Sequence, residues 1–215
     1  MCLRDQADDG DIKMLDEAEA PLVKALDLVR KLRGDEFLDV ATGLNNLGSF
    51  YLLYKGDPEK AEQPLLEALA TKRRILGDQH YSVAVTLQFL AELCCAQERY
   101  AEAEQYAREA VDIRRQVFPE GHPQITESLD WLAIALIAQE RSEDAEPVLR
   151  EAKQNREQDP GQSLDLAPDG LAAGFLLGFF FLLCRNRAVR GGDGLGTLGQ
   201  SGLHLARVEN DEGLR

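Results

Sequence analysis

Positive charge is in short supply in this chain. Its 215 residues carry 24 Lys and Arg against 38 Asp and Glu, a net charge of −14. That balance argues against nucleic acid, whose phosphates call for a basic surface, and against an anionic membrane surface. A basic or neutral peptide is the better-matched partner. Cysteine is sparse too: Cys2, Cys94, Cys95 and Cys184 include no C-x-x-C pair and none stands near a His at ligand spacing. Neither a disulfide framework nor a zinc site is indicated, and reduced, intracellular thiols are expected. The opening MCLRDQADDGD has no apolar run behind its positive charge, so a signal peptide is not expected. No G-x-x-x-x-G-K-[ST] phosphate loop and no Ser-His-Asp order appears. Two of the three histidines, His80 and His122, stand 42 apart at one place in a repeat, which makes them punctuation rather than bases or ligands. No catalytic residue, metal or cofactor is assigned, and the chain reads as a non-enzyme.

What the chain has in abundance is itself. The stretch 81–122 carries Leu87, Leu90, Ala91 and Cys94 on one helical face and Ala103, Ala107 and Ala110 on another. A shift of 42 brings up Leu129, Leu132, Ala133, Leu136, Ala145, Leu149 and Ala152. A shift back by 42 or 43 brings up Leu44, Leu47, Gly48, Tyr51, Ala61, Leu65 and Ala68. Self-similarity at this period means a solenoid of helix pairs. The predicted fold is all-α, a right-handed superhelical solenoid of antiparallel helix pairs.

In order, residues 1–15 form a polar N-terminal segment and 16–38 a half repeat that holds only a second helix. Full repeats follow at 39–80, 81–122 and 123–158. The first helix of the first unit repeats after 43 residues rather than 42, and the extra residue is expected in the Gly56-Asp57-Pro58 turn. Small residues at Gly48, Ala91 and Ala133, facing Ala61, Ala103 and Ala145, predict close helix approach. The basic clusters Lys72-Arg73-Arg74 and Arg114-Arg115 sit where a helix C-terminus favours cations.

Residues 159–215 break the pattern. The segment 171–184, LAAGFLLGFFFLLC, has no charge, and Leu171, Phe175, Phe179, Phe180, Phe181 and Leu183 dominate it. It falls short of the about 17–25 residues of a membrane-spanning helix. A docked C-terminal apolar helix, a short membrane anchor and a linker-like tail all fit, and the last would suit the Gly-rich end.

The units resemble tetratricopeptide repeats of the 42-residue, kinesin-light-chain-like type. The resemblance rests on DVATGLNNLG, AEQPLLEALATKRRILGDQH and AEAEQYAREAVDIRRQVFPEGHP, and it covers about residues 16–156. It implies a protein-interaction scaffold or adaptor with a concave groove lined by the first helix of each unit. The groove positions are Thr42, Asn45, Asn46, Ser49 and Leu52, then Val85, Gln88, Phe89, Glu92 and Cys95. In the third unit they are Glu127, Asp130, Trp131, Ile134 and Ile137. In related arrays asparagines at the Asn45 and Asn46 positions hold the backbone of an extended peptide. Phe89 and Trp131 replace the second asparagine in later units and imply apolar pockets. A cytoplasmic scaffold is therefore expected. The alternatives are a membrane-anchored adaptor held by 171–184, or a self-associating piece of a longer array with exposed end repeats.

Overall fold

In the computed structural model, backbone is described for residues 9–158 and side chains for 17–157. Seven α-helices follow one another: α1 (Asp9–Arg33), α2 (Leu38–Ser49), α3 (Pro58–Leu76), α4 (Tyr81–Ala96), α5 (Tyr100–Val117), α6 (Pro123–Ala138) and α7 (Ser142–Gln158). Among the described residues there is no strand. Helices α2, α4 and α6 are the first, or A, helices of the three pairs, and α3, α5 and α7 are the B helices. They stack as the expected solenoid, and α1 is a B helix with no A helix of its own among the described residues. It reaches back to Asp9, into the stretch that sequence pattern alone left as a polar segment.

Local chemistry sets the boundaries. Asp57 accepts a hydrogen bond from the Lys60 amide at 3.0 Å and opens α3 ahead of Pro58. The punctuating histidines turn out to be N-caps. His80 Nδ1 accepts from the Ser82 amide at 3.0 Å, and His122 Nδ1 from the Gln124 amide at 3.3 Å. Each A–B turn passes through the left-handed region at one residue: Gly56 (φ 62°), Glu98 (φ 63°) and Glu140 (φ 64°). Only the first of the three is glycine.

The extra residue of the first unit is not in the turn. Tyr51 and Gly56 are five apart, whereas their counterparts Cys94 and Glu98 are four apart. The additional residue is taken up by a widened, π-helical end over Phe50–Lys55, the usual way for a helix to absorb one insertion.

Packing follows the small-residue marks. Ala61, Ala91, Ala103, Ala110, Ala133, Ala145 and Ala152 are all fully buried, with Leu65 and Leu87. At Gly48 the approach is too close for any side chain: a Cβ there would stand 2.5 Å from Leu65 Cγ and 3.2 Å from the Ala61 carbonyl oxygen. No helix among the described residues is long and apolar enough to cross a membrane. The run with Leu171, Phe175, Phe179, Phe180, Phe181 and Leu183 lies outside them.

Two outcomes follow. Gly48→Ala forces α2 away from α3 and lowers the unfolding free energy in urea by about 1–3 kcal/mol. Glu140→Gly removes a strained backbone at an exposed turn and raises it by about 0.5–1 kcal/mol.

Candidate interaction surface

The A helices keep one side open once their packing is complete. Thr42 and Asn46 are exposed, and Ser49, Val85, Gln88, Phe89, Glu92, Asp130 and Ile137 are half-buried. Thr42 and Ser49 turn their hydroxyls back on the helix, donating to the Leu38 and Asn46 carbonyls. Asn46, Phe89 and Glu92 also keep part of their side chains uncovered, with no such tie among the described residues, as do the half-buried Val85 and Ile137, and Glu127 is exposed. The structure buries others expected here. Asn45, Leu52, Cys95, Trp131 and Ile134 are 6%, 7%, 1%, 9% and 5% exposed, the last four as members of the apolar core. An A helix pressed between two B helices has apolar neighbours on most of its circumference, so counting from one marker leucine overstates its open face.

Asn45 has a definite employment. Its Oδ1 accepts from Lys72 Nζ at 3.1 Å and from Thr86 Oγ1 at 2.7 Å, while Lys72 also reaches Thr86 Oγ1 at 2.8 Å and the Ser82 carbonyl at 3.3 Å. One repeat on, Arg114 bonds Ser128 Oγ at 2.6 Å and the Gln124 carbonyl. In the last unit Arg156 holds Asp130 at 3.1 Å. A cation near the end of each B helix thus ties its own A helix, the next one, or both. Gln88 breaks the series: its Oε1 and Arg114 Nε are both buried without a hydrogen-bond partner. Burial lowers the Lys72 pKa to about 8. The sequence alone offers Lys72 and Arg114 only as dipole partners of a helix end. Their recurrence 42 apart, opposite a hydroxyl at 86 and 128, was the signal for something more.

A second periodic set joins successive B helices. Arg30 pairs with Glu67, Arg73 with Glu109, and Arg115 with Glu151 at 2.6 Å. Near the turns Arg99 pairs with Glu62, and Arg141 with Glu104 at 2.7 Å. These pairs are partly exposed, so each is worth little alone, and their value is in fixing register.

The open side is acidic. Burial pushes the Glu92 carboxyl up to about 7, and no described Lys or Arg pairs with it. Asp130 is pushed up to about 6 by burial, with Arg156 pulling the other way. The two described thiols are not activated: burial raises Cys94 to about 11 and Cys95 further still, which favours the protonated form of both. Among the described residues no group of His, Cys, Asp and Glu could hold a metal ion.

A profile of the tetratricopeptide repeat matches residues 39–116 and again 83–158. Among solved structures, BtubC (BKLC) from P. vanneervenii is 26% identical, with a TM-score of 0.62, over 73% of this chain; the chain spans 65% of that protein's length. A Podosopora anserina protein assigned as a kinesin light chain, with nearly identical TPR-like repeats, is 19% identical. It matches with a TM-score of 0.62 over 94% of this chain and 89% of its own. A variant of it gives a TM-score of 0.63 over 91% and 88%. At that identity the likeness concerns the fold alone. No curated protein sequence matches.

The lowered Lys72 pKa carries a sign. Folded, the amine releases its proton near 8, whereas unfolded it holds it to about 10.4. The unfolded state therefore binds more protons in that window, and stability rises with pH through it. Urea titrations of wild type and Lys72→Met from pH 7 to 11 should show the difference between them moving in favour of wild type as pH rises, a comparison that cancels the fall the raised Cys94 and Cys95 thiols impose on both. The same variant loses about 1–3 kcal/mol at pH 7, because Asn45 and Thr86 lose a charged donor.

Proposed function

The chain belongs to the tetratricopeptide repeat family, and from that premise we propose that it is a non-catalytic scaffold whose A-helix groove binds a basic, extended peptide. Repeats of this kind are generally protein-interaction scaffolds. The finer reading is supported by one observation: the partly uncovered groove positions include an amide (Asn46), an aromatic ring (Phe89) and a carboxylate with no described ion pair (Glu92). Asn46 can donate to and accept from a peptide backbone. Phe89 offers an apolar and cation-attracting surface. Glu92, three residues on, answers a Lys or Arg side chain. The overall charge of −14 steers basic partners toward the surface and away from acidic ones.

Affinity should be modest. A groove of this kind with few anchors suits micromolar binding, about −8 kcal/mol. Specificity rests on Phe89 and Glu92, because backbone contacts through Asn46 do not discriminate sequence.

Fluorescence anisotropy with a panel of Lys/Arg-rich, neutral and Asp/Glu-rich peptides tests this reading. Basic peptides should bind in the micromolar range, and Phe89→Ala should weaken them by about 1 kcal/mol or more. Binding should fall as pH drops through about 7, where Glu92 gains its proton, and Glu92→Gln should remove that dependence. Equal binding of acidic and basic peptides, or indifference to Phe89→Ala, would sink the proposal.

A further inference from the structure

Helix α1 is built to receive an A helix, yet no described A helix belongs to it. Ala18 and Leu22 stand 43 residues before Ala61 and Leu65, which are fully buried where α3 meets Gly48 of α2. On α1 these two are only half-buried, and Ala25, the counterpart of the fully buried Ala68, is exposed. Leu28 is 57% exposed, while its counterparts Thr71 and Ile113 are 8% and 1%. The receiving face is complete in sequence and open in space.

The other end of the array carries what that face lacks. After α7, twelve residues (159–170) lead to the apolar run 171–184, whose fourteen residues match the 12 to 16 of the A helices α2, α4 and α6. An A helix inside this array is wedged between two B helices: α6 buries Ile125, Leu129, Leu132 and Leu136, and Trp131 and Ile134 as well. A segment apolar on every side suits a place covered on both. The place between its own α7 and the α1 of another copy would meet that demand.

Charge points to the same junction independently. The B-helix rungs run Arg30–Glu67, Arg73–Glu109 and Arg115–Glu151. One repeat beyond Arg115 the donor position holds Glu157, and one repeat before Glu67 the acceptor position holds Lys24. Both are exposed, and neither has an ion pair among the described residues. Opposite charges meet again, with the polarity reversed, so this end rung suits the other end and not an interior one.

We propose that copies of this chain associate head to tail. Residues 171–184 of one copy serve as the missing A helix against α1 of the next, and Glu157 of the first pairs with Lys24 of the second. The contact is heterologous, so it propagates into a ring or an open filament. It leaves the peptide groove untouched and does not depend on it.

Sedimentation velocity of the full chain over a range of concentrations tests the proposal. Mass should grow with concentration; Lys24→Glu or Glu157→Lys alone should weaken association several-fold, and the two together should restore it. Leu28→Asp, on an exposed position that leaves the helix content intact by circular dichroism, should abolish it. In a mixture of isotopically heavy and light protein, carbodiimide should join Glu157 and Lys24 between copies. A chain that stays monomeric at every concentration overturns the proposal. So does association that ignores the charge reversals, or a cross-link found only within one copy.

Discussion

Everything in this molecule depends on how closely each A helix can lie against its B helix. The contact is made by residues with almost no side chain: Gly48 over Leu65 and the Ala61 backbone, and Ala91 and Ala133 in the same role one and two units later. Because the helices nearly touch, longer side chains elsewhere reach across predictable gaps. Lys72 can then bridge Asn45 and Thr86, and Arg115 can reach Glu151 on the next B helix. Move the helices apart by one methyl group, and three sets of periodic contacts lose their distances together.

The buried cations place a polar group where an apolar one would pack at less risk. A charge in the interior costs stability unless its hydrogen bonds are met. Lys72 meets that demand with three oxygens from two different A helices. Such an arrangement holds only at one register between neighbouring units. The middle unit, where Gln88 and Arg114 do not meet, satisfies it less completely. What the packing leaves uncovered on the A helices follows from it: Asn46 is exposed, and Phe89 and Glu92 are half-buried.

How much of this was legible beforehand differs by residue. The alanines and leucines returned on a 42-residue schedule, and that schedule located the helices, the pairing and the core, because burial of a periodic face needs nothing beyond sequence order. Asn45 and Trp131 stood at groove positions by the same counting and proved buried, since the count cannot know how much of a helix its neighbours enclose. The π-helical end at Phe50–Lys55 was visible as a one-residue surplus, but not its location. The ion-pair rungs were written in the chain as Arg and Glu 36 or 37 apart, a spacing that means nothing until two B helices are seen side by side.

The sequence by itself determined a stack of helix pairs and which faces they bury, because hydrophobic periodicity and turn residues act locally and repeat. Only the tertiary structure decided which polar side chains face inward and which remain open. That choice depends on distances between helices far apart in the chain, and no local preference of Asn45, Lys72 or Glu92 encodes them.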